Sequence, residues 1–389
     1  MNSLIMTLLV FWLMITLIGR YLNLEKYGLE ISPFAILWKT KKFNNFIRKI
    51  AKKFPWLWKR IWLIGIPLGI ASLFYGFYFL FTNLIKFFVN PSTAASVVPV
   101  LPGITITGKT LYYLFFALAV SVTAHELAHG LAAEAEEIPV RSSGALLFIL
   151  IPGAFVELDE ERMKKQDVVK RLKIFSAGSM ANLIVAMLFL ILLINFELLI
   201  LPLYAAPAGV LITDVVEGTP ASEVFKPGVV IFEINGTMVH NVEEFHNYLV
   251  NVSPNQTLVF NTSEGIIRLT TARHPVNSSR GYIGVYTFNY YPSKNMFSKM
   301  LGVMVPYYLF EVVNWTFLLS LSLAIFNMLP IPFFDGDRVV SDLVRHWAKK
   351  RNIDEKMPKT LRVGFAVLSI SLLILNFVFT FLKIGFKIP

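Results

Sequence analysis

From Ile174 to Leu203 the chain is almost wholly apolar, with one charged side chain, Glu197. A run of this kind has few folded options. It is long enough to cross a hydrocarbon layer of about 30 Å as a helix. In lipid, only a helix or a closed barrel satisfies every backbone N–H and C=O. Similar runs occupy Ile61–Phe81 (continuing towards Phe88), Leu111–Ala133, Leu301–Leu329 and Val363–Leu382. Leu4–Gly19 is a shorter sixth candidate. Its first basic residue, Arg20, follows the run instead of preceding it, which predicts a retained helix and not a cleaved signal. The expectation is a polytopic α-helical membrane protein with about six transmembrane helices.

Composition agrees. Hydrophobic residues make up 55% of the chain and charged residues 16%, against about 25% charged in soluble domains. The chain has no cysteine, which excludes disulfides, thiolate metal sites and a cysteine nucleophile. The net charge of +11 does not indicate nucleic acid. The basic residues cluster beside apolar runs, where they fix orientation in a bilayer. Lys39–Arg60 carries nine Lys and Arg and no acid, and is therefore expected on the cytosolic side. Its aromatic residues Phe43, Phe46, Phe54, Trp56 and Trp58 suit the headgroup layer. Tyr27–Phe43, just before, reads as a short strand or surface segment.

The third span contains Ala124-His-Glu-Leu-Ala-His-Gly130. On a helix, His125 and His129 share one face, so both imidazoles can meet one metal ion. Glu126 lies about 100° further round, close enough to hold an activated water. Two histidines and a glutamate at membrane depth are costly unless they serve a function. Alternation of the spans puts this end of the helix near the cytosol. The motif is short, so a remote third ligand has to decide its meaning.

Between the third and fourth spans, Gly144–Val156 is apolar but too short to span as a helix. Pro152-Gly153 reads as a turn. The segment is expected either as a hairpin at or in the membrane, or as a buried packing strand. The fourth span opens with small and polar residues, Ser176, Ala177, Gly178, Ser179, Ala181 and Asn182, which permit close helix approach. Asn182 is either interhelical glue or part of an active site.

Ala205–Tyr290 changes character, with short β-rich runs between Gly, Pro, Asn, Ser and Thr. Val229–Ile234 followed by Asn235-Gly236 predicts a strand and tight turn, and Val242–Leu249 a short helix. Alternation places this domain outside. Sequons at Asn235, Asn251, Asn255, Asn261 and Asn277 lean the same way. After the fifth span comes Asn327-Met-Leu-Pro-Ile-Pro-Phe-Phe-Asp335-Gly336. The topology puts Asp335 at the same membrane end as His125 and His129. It completes a His-His-carboxylate set with a position open for water, the usual form of a catalytic zinc site. Glu157 is the competing third ligand. His240, His246, His274 and His346 read as surface residues.

HELAH (125–129), GSMAN (178–182) and NMLPIPFFDG (327–336), in this order, resemble the motifs of the site-2 protease family of intramembrane zinc metalloproteases, peptidase family M50. Ala208–Leu249, with its P-A-S, K-P-G and I-N-G elements, looks like a PDZ domain. The resemblance implies one zinc ion held by His125, His129 and Asp335, with Glu126 as general base. It also implies Asn182 and Asn327 near the substrate carbonyl. The expected fold is then a helical membrane protein with one extracytosolic PDZ-like α+β domain between the fourth and fifth helices. The segments are 1–110 (N-terminal helices and basic loop), 111–204 and 291–340 (the two parts of the protease core), 205–290 (PDZ-like domain) and 341–389 (basic loop and last helix). The implied partners are a lipid bilayer and transmembrane protein substrates, with a C-terminal peptide on the PDZ-like domain; whether Gly209–Ile212 caps that peptide stays open, because Val229 follows Gly228 where an acidic residue is usual. The membrane is a prokaryotic cell membrane or a eukaryotic organelle membrane. The alternative is a catalytically inactive scaffold that recruits partners through the same domain. Against it, all four residues His125, Glu126, His129 and Asp335 are kept.

Overall fold

The computed structural model describes residues 2–148, 151–275, 277–354 and 356–384. The chain divides into two compact units, Met1–Leu190 with Asn314–Pro389, and Ile191–Val313.

The first unit opens with helix α1 (Asn2–Tyr21) and two strands, β1 (Leu29–Ser32) and β2 (Ala35–Lys39). Helix α2 (Lys41–Lys53) starts at Thr40, whose hydroxyl accepts the Lys42 N–H, and carries the basic cluster. Its apolar stripe is buried at Ile47 and Ala51, and Ile47 lies against Gly130. Helices α3 (Pro55–Val89) and α4 (Thr110–Ala135) follow, then strands β3 (Val140–Phe148) and β4 (Ile151–Leu158). The short α5 (Glu160–Lys164) leads into α6 (Val168–Ile194). Asp159 caps α5. The Arg162 backbone N–H, aided by Arg141, holds its carboxyl below the usual range.

One departure from the sequence reading concerns Pro152-Gly153. They form no turn. Pro152 pairs with Leu147 and Gly153 with Leu146 inside β4, and Phe148 pairs with Ile151. The two residues between them, 149–150, lie outside the described residues. The physical reason is that among the described residues β4 is an edge strand in the order β1-β2-β3-β4, where a proline forfeits no ladder bond. The stretch 27–43 likewise supplies two strands of this sheet instead of one.

The second unit contains α7 (Phe196–Ile200), β5 (Val210–Val215), α8 (Pro220–Val224), β6 (Val230–Ile234), β7 (Thr237–Met238), α9 (Val242–Val250), β8 (Thr257–Thr262), β9 (Gly265–Thr270), β10 (Ala272–Arg273), β11 (Gly281–Tyr282), β12 (Val285–Asn289) and α10 (Met296–Leu301). The main sheet runs β12-β5-β6-β8-β9. At the expected turn Asn235 and Gly236 both have positive φ, 49° and 80°, which a two-residue hairpin turn needs. Val210, Ile212, Ile231, Phe245 and Phe260 form a buried core. Val210 pairs with Asn289 of β12 on one side and Ile231 of β6 on the other, so β5 has no open edge there.

Helix α11 (Val305–Phe326) leads back, and α12 (Asp335–Lys350) and α13 (Lys356–Ile384) close the first unit. Among the described residues, α3, α4, α6, α11 and α13 are long and apolar enough to cross a membrane. The apolar stretch of α1, Leu9–Tyr21, is shorter. The first unit's core joins α3, α4, α6 and α12 through Trp62, Ala128, Ala132, Ile174, Met180 and Val339. Its polar crosslinks include partly buried ion pairs. Arg171 Nε donates to Asp342 at 2.7 Å, and Lys173 meets Glu136 at 2.7 Å.

Candidate metal centre

On α4, one helical turn separates His125 from His129, and the two Nε2 atoms lie 3.1 Å apart. Asp335, the first residue of α12, brings Oδ2 to 3.1 Å from each of them. The three ligand atoms thus form a nearly equilateral triangle, and all three residues are buried. Tetrahedral ligands at about 2.0–2.1 Å from zinc stand about 3.3–3.4 Å apart, so the donor set fits such an ion.

The outer nitrogens agree. Nδ1 of His129 donates to the Ile174 carbonyl at 2.7 Å, which leaves the Nε2 lone pair facing Asp335. The Asn182 amide meets Nδ1 of His125 at 3.1 Å. Its Oδ1 is buried and otherwise without a partner. With the amide turned so that Oδ1 accepts from His125 Nδ1–H, both histidines present Nε2 to one point. Asn182 therefore meets the His125 ring on the side away from the triangle.

Asn327 lies at the front. Its Nδ2 donates to Asp335 Oδ2 at 2.9 Å and stands 3.0 Å from His125 Nε2. A folded loop makes this possible. Gly336 N–H donates to the Asn327 carbonyl at 2.9 Å, bringing the loop's two ends together. A Cβ at Gly336 would overlap the Met328 carbonyl and sit 2.6 Å from that of Leu329, so only glycine lets the ends meet. Glu126 faces β4, where its Oε2 accepts the Val156 N–H at 3.0 Å. Glu157, the competing third ligand, stands apart from the triangle and accepts instead from the Ser142 hydroxyl at 2.6 Å. The site opens into a cavity of about 680 Å³ whose walls include Arg141, Val156, Phe175, Phe333 and Arg338.

The profile of Peptidase family M50 matches residues 113–371, which include all three motifs. The chain belongs to peptidase family M50. An uncharacterised protein of Methanocaldococcus jannaschii is 32% identical over 85% of this M50 chain and 82% of its own length. A membrane-bound transcription factor site-2 protease homologue of Arabidopsis thaliana is 26% identical over 53% of the chain, a match that spans 40% of the plant protein. Among solved structures, the PDZ domains of two SdrC-like proteins are similar to part of the chain. The one from Listeria monocytogenes is 22% identical over 21% of this chain and 87% of its own, with a TM-score of 0.19. The one from Listeria innocua is 23% identical over 20% and 92%, also with a TM-score of 0.19.

Three contributors to this M50 site escaped the sequence reading as site residues. The Ile174 carbonyl and the Val156 N–H are backbone groups and leave no sequence signal. Gly178 left one, since it is four residues from Asn182 and so shares its helix face. A Cβ there would lie 2.5 Å from His125 Nε2 and 2.6 Å from Nδ1.

Proposed function

We propose that this M50 chain is an intramembrane zinc metalloprotease that hydrolyses peptide bonds within or near transmembrane segments of other proteins. The observation that carries this reading is the triangle of His125, His129 and Asp335 with the Glu126 carboxylate beside it on α4. Zinc bound by the three would polarise the scissile carbonyl and make water acidic enough to attack near neutral pH.

The chain's own residues have distinct tasks. Glu126 takes the proton from the attacking water and passes it to the leaving amine. Val156 N–H holds that carboxylate in place. Asn182 and the Ile174 carbonyl orient the histidines. Asn327, with its amide at the open face of the triangle, is a donor for the carbonyl oxygen as charge develops. A substrate helix hides its carbonyls and must unwind locally. The free edge of β4 suits such an unwound strand, by pairing along its backbone.

In the membrane, α1 adds a sixth crossing to the five, with both termini outside. The basic runs Lys39–Arg60 and Arg338–Arg351 support a cytosolic position for the zinc end of α4, and alternation of the spans puts the PDZ-like residues 205–290 outside. That PDZ-like unit takes a peptide C-terminus at the free edge of β12. Beside that edge lies a cavity of about 180 Å³ lined by Phe245, Leu249, Ile283 and Val285.

The test is co-expression with a panel of tagged single-span membrane proteins, beside a Glu126→Ala version, with zinc measured on both purified proteins. A cut within the span that is absent in Glu126→Ala, with zinc bound to both, is the expected result. Zinc without any Glu126-dependent cut favours the scaffold, and an undamaged chain that binds no zinc defeats the reading.

A further inference from the structure

We propose that Phe333 is a substrate-contact residue, a ring presented at the cavity mouth that occupies side-chain space beside the scissile bond and selects a small residue there; this rests on the protease reading above. The local chemistry is unusual. Phe334 N–H donates to the Ile331 carbonyl at 3.0 Å, closing a four-residue turn with Pro332 second and Phe333 third. Phe333 has φ +77°. A turn with proline second and positive φ third calls for glycine or asparagine at the third place. A bulky L-residue is strained in that region.

The strain secures nothing inside the fold. Phe333 is 99% exposed, and no aromatic ring stacks on it among the described residues. Its neighbour Phe334, by contrast, is half-buried. Lipid contact explains the other exposed apolar side chains on spanning helices, but Phe333 is on a loop, and it lines the cavity with His125, Glu126 and Asp335. Val156 of β4 lines the same cavity. The backbone that presents the ring is held. It is two residues from Asp335, in a loop pinned by the bonds Gly336 N–H to Asn327 O and Ile331 N–H to Leu329 O. A strained, fully presented ring at a reactive centre is the kind of feature that binding, not folding, maintains. A strand that enters between β4 and the metal ligands meets this ring. Glycine, alanine or serine at that place fits beside it, and leucine or phenylalanine collides.

Two measurements on the full-length chain in membranes test this. First, a photoreactive benzoylphenylalanine replaces Phe333 in the Glu126→Ala background. The probes are tagged single-span peptides carrying Gly or Leu at successive positions. A peptide crosslink competed away by unlabelled peptide is expected, and crosslinks to lipid alone overturn the proposal. This arm needs no turnover, so a wild type that cuts no peptide defeats the protease reading without deciding the contact. Second, Phe333→Gly is expected to keep its zinc and to melt no lower than wild type, while cutting Gly-bearing peptides at least tenfold more slowly. Phe333→Ala is expected to shift preference towards Leu-bearing peptides by about tenfold, the scale of a filled or vacated apolar subsite, and Phe333→Trp to retain the wild-type preference. Unchanged rate and preference in both Phe333→Gly and Phe333→Ala overturn the proposal.

Discussion

The His125 imidazole lies against Gly178, leaving no room for a side chain: a Cβ there would stand 2.5 Å from Nε2 and 2.6 Å from Nδ1. The absent methyl group on α6 thus sets where a ligand on α4 points. Gly178→Ala is expected to rotate His125 out of the triangle and to weaken zinc binding by about 10–100-fold, the range seen when support of a ligand is lost. Chelator competition on the purified protein measures it. The change adds a good helix former to a helix interior, so a loss of zinc does not reflect a loss of helix. Wild-type zinc affinity in Gly178→Ala would sink this account.

Asn182 acts on the same ring from its other nitrogen, 3.1 Å from Nδ1. Asn182→Ala is expected to weaken zinc by about tenfold or more, and Asn182→Asp, which keeps the acceptor, to recover most of it. If Asn182 instead touched the substrate carbonyl, zinc would be unchanged and kcat alone would fall. Measuring both on the same preparations separates the two roles.

The spans and the three motifs were legible because each rests on local spacing. An apolar run longer than a bilayer has one helical meaning, and H-E-x-x-H fixes two residues on one helix face. Asp335 was reachable because topology assigned it to the same end as the histidines. What stayed hidden depends on partners. Pro152-Gly153 reads as a turn until β4 proves to be an edge strand, where proline is tolerated. Nothing in Gly209–Ile212 itself signals that β12, encoded some 75 residues later, pairs alongside it. The Val156 N–H on Glu126 has no side-chain signature at all.

That last bond gives a clean substitution. The Val156 N–H donates to the Glu126 carboxylate, so Val156→Pro removes this donor, and on an edge strand it forfeits no ladder bond. A hydrogen bond to a charged group contributes about 1.5–3 kcal/mol, so kcat is expected to fall by about 10–100-fold. Zinc content should stay at the wild-type level, because no metal ligand is touched. Cleavage of a tagged substrate and zinc content, measured together, check this. Loss of zinc would mean that β4 supports the triangle as well as the base.

The second unit allows a prediction independent of catalysis. In its main sheet β12 is an edge strand among the described residues, and β5 is paired on both sides. A peptide can add a strand beside β12, with its last apolar side chain among Phe245, Leu249, Ile283 and Val285. Peptides ending in a free apolar carboxylate are expected to bind the full-length protein at least about tenfold more tightly than their C-terminal amides, since a buried charge-assisted bond is lost in the amide. Leu249→Lys, which introduces a cation into the cavity wall, should weaken binding and leave zinc untouched. Fluorescence anisotropy with labelled peptides measures both. Equal affinity for acid and amide would rule out capture of a chain end and leave only side-on binding along β12.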